Sequence, residues 1–241
     1  MSDFSQSKIK NLLLRALPAE AFELLQPAMQ GAELPLKFEM ITPDVPNEAV
    51  YFLERGLGSV VATNSDEESV EVGHIGYEGM AGAHVLLKVD RTPNRTFMQV
   101  GGSGIIVPVP ALTSVLQRVP AANDLFLKYV HSCELQLAHS ALANARYTMP
   151  ERLARWLLMC QDRIQDDDLP LTHEFLALML GVRRSGVTNE IHILEGVHAI
   201  KASRGNIRIR DRQKLEDMAG GSYGIPEIEY ERLIGLSIKQ S

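Results

Sequence analysis

A run of polar side chains between Thr172 and His192 could do chemistry together: Thr172, Arg183, Arg184, Ser185, Thr188, Asn189 and His192. Arginine can donate two parallel hydrogen bonds to O6 and N7 of guanine, asparagine can pair with adenine, and short hydroxyls can contact bases or phosphates. Such a set works only if one surface presents it. Val187, Ile191 and Leu194, spaced four and three apart, predict a helix from about residue 183 with these residues on its inner side. Arg184, Ser185, Thr188, Asn189 and His192 then face outward. Thr172 has the chemistry of an amino-terminal cap for a preceding helix, with Glu174 in its first turn and Phe175, Leu176, Met179 and Leu180 on its buried face. Gly181 stands where a tight turn must end that helix.

The residues that follow add a second cationic surface. "AIKASRGNIRIRD" predicts a strand, a turn from Ser203 to Asn206 containing Gly205, and a second strand with Ile207 and Ile209 inward and Arg208 and Arg210 outward. Lys201, Arg204, Arg208 and Arg210 could then lie along phosphates. A helix, a turn, a second helix and a basic hairpin make a winged helix-turn-helix. The helix pair by itself is also compatible with an ordinary αα-hairpin whose polar face is solvated. Charge geography favours the polyanion: the chain carries 24 Lys and Arg against 30 Asp and Glu, net −6. Residues 171–214 nevertheless hold eight cations and four acids, a local excess of positive charge on an acidic body.

The elements that must carry this surface are legible in outline. From about residue 33 to 110, "AVYFLERGLGSVVA", "SVEVGHIG", "RTFMQVGG" and "GIIVPVP" read as short strands between Gly, Pro, Asn and Asp punctuation, predicting a compact β-roll or sandwich. "AANDLFLKYVHSCELQLAHSALANAR" has neither Gly nor Pro and predicts one helix of roughly 39 Å. Its stripe Phe126, Val130, Cys133, Leu137 and Ala141 suits a seam between two copies of the chain, or a face lying on its own sheet. Pro150 is placed for the first turn of another helix, "ERLARWLLMCQDRI", with Leu153, Trp156, Leu157, Cys160 and Ile164 on one side. The fold class expected is α+β, in four parts. Residues 1–119 form a sensor-like β-roll, 120–147 a dimerisation helix, 148–217 a winged helix-turn-helix and 218–241 a carboxy-terminal tail.

Composition excludes several classes. The 45% hydrophobic and 22% charged content is that of a folded globular chain. No stretch approaches the ~18 apolar residues of a membrane span, and the amino terminus has no secretory pattern, so a cytoplasmic location without membrane partners is expected. Cys133 and Cys160 are too few for a disulfide framework, a cysteine-rich zinc site or an iron-sulfur cluster. His74, His84, His131 and His139 fall at unrelated spacings, and the acids of "QDDDLP" are expected to be solvated, so no metal is assigned. "HEFLA" has Ala177 where a zinc-protease helix needs its second histidine, and "GGSG" at 101 runs into a strand rather than a helix. No nucleophile-base pair can be read, and the chain is not expected to be an enzyme.

Over "PERLARWLL" and "LTHEFLALMLGVRRSGVTNEIHILEGVHAI", about residues 149–217, the sequence resembles the Crp/Fnr family of bacterial transcription regulators. The order β-roll, long helix, winged helix extends the resemblance over nearly the whole chain. It implies a transcription factor that binds double-stranded DNA at a near-palindromic site as a homodimer, and RNA polymerase as a partner if the protein activates. By position it puts Arg184 where a cyclic-AMP-responsive relative reads guanine. Ser185 stands where that relative has glutamate, and Asn189 where it has a second arginine, which implies a different half-site. Arg183 falls to backbone contact.

Relatives that bind cyclic nucleotides hold ribose with a Gly-Glu pair and phosphate with an Arg followed by a small hydroxyl residue. The similar pieces here are "GYEGMAG", with Glu78 and Gly79, and "PNRTF", with Arg95 and Thr96. A carboxylate for ribose hydroxyls and a guanidinium for phosphate suit a cyclic-nucleotide-binding-like domain. Glu78 and Arg95 are 17 residues apart, longer than the resemblance suggests, and bulky apolar groups fill the gap. A cyclic nucleotide, another small effector and no diffusible ligand all remain open, and no cofactor is assigned. A rival from another class is a ligand-binding signalling module whose winged helix contacts protein.

Overall fold

A computed structural model describes residues 4–239, apart from the side chains of Arg184 and Ser185. Two short helices, α1 (Leu12–Ala16) and α2 (Ala19–Leu25), lead into the first sheet. The fully buried Asn11 fixes the entry: its Oδ1 accepts from Leu14 N at 3.1 Å, and its Nδ2 donates to the carbonyls of Leu53 and Gly79. That sheet comprises β1 (Gln30–Leu34), β2 (Glu39–Ile41), β3 (Ala49–Thr63), β4 (Ser69–Ile75), β5 (Met80–Ala81) and β6 (Arg95–Pro108). Its main order is β1-β6-β3-β4, with every pairing antiparallel.

The segments expected as two strands, "RTFMQVGG" and "GIIVPVP", are one continuous β6. Its glycines are what allow this: a Cβ at Gly102 would run into the Arg55 carbonyl, and the β3-β6 register shifts repeatedly between Leu53 and Gly58. The "GGSG" run is therefore a close strand crossing.

Two helices follow, α3 (Val109–Arg118) and the 27-residue α4 (Pro120–Arg146). Pro120 opens α4, where its missing N–H costs nothing. The inner face of α4 closes the roll, and Phe126, 1% exposed, packs against Phe52 with ring centroids 6.0 Å apart. Phe126 therefore belongs to the chain's own core, which corrects its expected place in a seam. Val130 and Cys133 are half-buried against that core, whereas Leu137 and Ala141 are exposed, as are Leu127 and Leu142. The outward apolar surface of α4 therefore keeps Leu137 and Ala141 of that stripe and adds Leu127 and Leu142, while the sheet claims Phe126.

The second half contains α5 (Met149–Ile164), β7 (Asp168–Leu169), α6 (His173–Leu180), α7 (Arg184–Gly196), β8 (Ile200–Ser203), β9 (Asn206–Ile209), α8 (Arg212–Ala219) and α9 (Ile225–Ile234). Thr148 and Glu151 cap α5 reciprocally, satisfying donors that a helix start leaves unpaired. One face of α5 was expected to be buried, yet Arg155, Gln161, Asp162 and Arg163 are buried as well as Leu153, Trp156, Leu157 and Cys160. The helix is enclosed between the winged domain and the β-roll. Trp156 Nε1 donates to Glu71 on β4 at 2.9 Å, and Phe175 of α6 stacks on Phe97 of β6 with centroids 6.4 Å apart.

Two further expectations change. Asp168, one of the acids expected to be solvated, pairs in β7 with β9, accepts from Asn206 Nδ2 at 3.0 Å and lies 3.4 Å from Arg208. Residues 218–241, expected as a tail, contribute α9 instead. Tyr230, Ile234 and Ile238 join the core of the β-roll, and Tyr77 donates from its hydroxyl to the Ile238 carbonyl at 2.9 Å. No helix among the described residues is long and apolar enough to cross a membrane.

Candidate nucleic-acid interface

The polar face is assembled by local rules that the sequence states openly. Thr172 Oγ1 accepts from Phe175 N at 3.3 Å, capping α6. At the other end Gly181 takes φ 65°, a left-handed conformation that glycine adopts without steric cost, and its N–H reaches back to Ala177 and Leu178. Arg152 of α5 donates from Nη2 to the Leu180 carbonyl at 2.8 Å, so the end of α6 is also held from below. Arg183 is the amino-terminal cap residue of α7, in an extended conformation.

Val187, Ile191 and Leu194 are each 2% exposed or less and seat α7 on the domain core. The opposite side carries Asn189 and His192, both exposed, with Thr188 half-buried beside them. Arg184 and Ser185 occupy the first turn of α7, and their side chains lie outside the described residues. Ile193 and Val197 are also exposed, extending the surface with apolar groups of the kind that can meet a thymine methyl.

The wing forms as the alternation predicts. Gly205 turns at φ 74°, Ile207 and Ile209 are buried, and Arg204, Arg208 and Arg210 face out. Glu195 is the residue that sequence reasoning missed here. Its carboxylate accepts from Ala202 N at 3.0 Å and lies 3.5 Å from Lys201 Nζ and 3.4 Å from His192 Nδ1, so one acid of α7 pins the wing. The Ala202 hydrogen bond comes first among the causes that hold the Glu195 pKa below the ordinary value, with Lys201 and His192 adding to it. Lys201 and Arg208 keep 65% and 55% of their side chains exposed despite pairing with Glu195 and Asp168. Exposed pairs of this type contribute about 0–1 kcal/mol, so either cation can turn to a phosphate at small cost.

The residues expected to hold a ligand are not brought together. Glu78 is 4% exposed and its Oε1 accepts from Arg163 Nε at 2.7 Å, while its Oε2 accepts from Gly76 N. Gly79 packs so closely that a Cβ would strike the Tyr129 hydroxyl. Arg95 lies on the surface, 2.7 Å from Glu39 and over the Phe97 ring, and Thr96 is buried in β6. The carboxylate that a nucleotide's ribose would need is buried against Arg163, whereas the guanidinium lies on the surface in an exposed pair with Glu39. No local pattern marks Arg163 as the partner of Glu78, because Gln161 and Asp162 beside it on α5 are polar as well. Among the described residues no cluster of three metal-ligating side chains forms, and His74, His84 and His131 bond to Glu71, Asn47 and Glu134 respectively.

Residues 151–218 match the family model of the Crp-like helix-turn-helix domain. A comparison with curated proteins finds no match. Among solved structures, a transcriptional regulator of the Crp/Fnr family from Eubacterium rectale is 14% identical with a TM-score of 0.67, over 86% of this chain and 97% of that one. FixK2 from Bradyrhizobium japonicum is 16% identical with a TM-score of 0.69, over 80% of this chain and 98% of its own. The c-di-GMP responsive regulator CLP from Xanthomonas campestris is 16% identical with a TM-score of 0.62, over 80% and 99%. At these identities the likeness is one of fold, and the family model supplies the domain. The chain carries a Crp-like helix-turn-helix domain, set in the fold that Crp/Fnr regulators share.

Proposed function

We propose that the protein is a sequence-specific DNA-binding regulator of transcription that grips a near-palindromic site as a homodimer. The observation that carries this is the seating of α7: Val187, Ile191 and Leu194 are buried, Asn189 and His192 on the opposite side are exposed, and a basic wing stands next to it, all within the span of the Crp-like domain. That arrangement supports a reading in which the helix enters the major groove and the cations meet the flanking phosphates.

Thr172, Arg183, Lys201, Arg204 and Arg208 serve the backbone, while Arg184, Ser185, Thr188, Asn189 and His192 face base edges. The exposed leucines of α4, Leu127, Leu137 and Leu142, supply the seam between two copies. The two recognition helices would then enter successive major grooves about 34 Å apart. Selection of bound duplexes from a random pool, using the full chain, tests the reading. Recovery of an inverted repeat with half-sites one helical turn apart is expected, and recovery of sequences with no common element would overturn it.

A further inference from the structure

Gly186 is the third residue of α7, inside a helix, where glycine is less stable than alanine. Several glycines of this chain have a visible reason to be glycine. Gly181 and Gly205 take left-handed backbone conformations, and at Gly79 and Gly102 a Cβ would collide with a tyrosine hydroxyl or a carbonyl. Gly196, the other glycine of α7, is its last residue. None of these reasons applies at Gly186. Its φ lies outside the left-handed region, and among the described residues beyond its own helical turn a Cβ there would meet only Val182 Cγ2, at 3.9 Å, an ordinary van der Waals contact.

The surroundings of Gly186 define what could approach it. It is exposed and lies in the first turn of α7, the part that a recognition helix brings closest to base edges. Val187, Ile191 and Leu194 are buried and fix the rotation of the helix, so the gap stays open to the outside. Val182 is half-buried against the domain core, which holds its methyl group in place. Asn189, one turn on, is exposed on the same side. The result is a notch one methyl group deep, floored by backbone and walled by a valine methyl. Of the groups on base edges in the major groove, the thymine C5-methyl is the apolar one.

We propose that Gly186 is a specificity-determining residue: the notch it leaves beside Val182 receives the C5-methyl of one thymine in each half-site. The inference rests on the proposed DNA reading and adds a named base to it. A missing Cβ leaves room for one methyl group, and one methyl group is what the base presents. Alanine at this position would occupy the same space, so the helix could not come as close to that thymine. Glycine inside the helix thus favours contact with DNA over the stability of the free protein.

The test uses the full-length protein and the duplex it selects, with each thymine of one half-site replaced in turn by deoxyuridine, which lacks only the C5-methyl. At one of these positions the unaltered protein should bind the deoxyuridine duplex about fourfold more weakly, as burial of one methyl group predicts. Gly186→Ala should lose affinity for the thymine duplex and no longer prefer it over the deoxyuridine duplex, while melting no lower than the unaltered protein. Indifference of the unaltered protein to every replacement, a thymine preference that Gly186→Ala retains, or a lower melting temperature of that variant would each overturn the inference. The preference for the selected over a scrambled duplex, measured on the same samples, reports the DNA reading separately. Its absence overturns that reading, whereas its presence with a methyl dependence unchanged in Gly186→Ala overturns only the role of Gly186.

Discussion

Arg163 Nε on α5 lies 2.7 Å from Glu78 Oε1 in the β-roll, with 3% and 5% of the two side chains exposed. Burial opposes the Arg163 charge, yet Glu78, Glu227 and Asp162 together outweigh it and raise the guanidinium pKa. The pair joins the winged domain to the roll through groups that have no access to water. Removing one partner strands the other: Glu78→Ala should destabilise the protein by about 3–5 kcal/mol, whereas replacing both residues by methionine should cost far less or nothing. Thermal unfolding of the two variants checks this, and equal losses would show that the pair is not coupled.

His74 stands in the same interface. Its Nδ1 is 3.3 Å from Glu71, its Nε2 has no partner among the described residues, and its ring meets Trp156 edge-on. Desolvation and Arg163 lower its pKa, against the opposing pull of Glu71 and Glu78. A histidine held neutral in the fold takes up its proton first in the unfolded chain. Stability should therefore be level above the ordinary histidine pKa near 6.5 and decline as pH falls below it. Melting temperature measured between pH 7.5 and 5.5 should show this slope, and His74→Gln should flatten it.

Tyr230 of α9 donates to the Glu78 carbonyl at 2.6 Å while its own ring is 2% exposed. Tyr230→Phe keeps the ring and strands a buried acceptor, so a loss of about 1–3 kcal/mol is expected. Ile228→Ala on the same helix, at a residue 61% exposed, should change stability by no more than about 0.5 kcal/mol. Denaturant titration of both variants measures the contrast, and it would fail if α9 were not part of the core.

Arg204 sits at the turn of the wing and is exposed. As a phosphate contact it should act without regard to sequence. Arg204→Ala should weaken selected and random duplexes alike and reduce the slope of log affinity against log salt by about one. Fluorescence anisotropy at several salt concentrations gives that slope.

What the sequence reveals and what it conceals follow from the range of the interactions. Capping by Thr172, the turn at Gly181, the inward triad Val187, Ile191 and Leu194, and the alternation through Ile207 and Ile209 are local patterns, and each is found where its period puts it. The pairing of Glu78 with Arg163 spans 85 residues and that of Tyr230 with Glu78 spans 152. No spacing rule reaches that far, so the sequence alone presents Glu78 as a ligand group and residues 218–241 as a tail. Phe126 looks like a seam residue for a related reason: helical periodicity shows that a face is apolar, and only the neighbouring sheet decides what covers it.

The central claim is that the outer face of α7 reads DNA sequence, and its most direct measurement is a ratio. Affinity for the selected duplex divided by affinity for a scrambled duplex of equal length, at one fixed salt concentration, should be on the order of 10³ or more for the unaltered protein. Asn189→Ala and Arg184→Ala should each reduce that ratio by an amount equivalent to about 1–3 kcal/mol while leaving affinity for the scrambled duplex less affected. A ratio near one, or a ratio that neither substitution changes, would contradict the account.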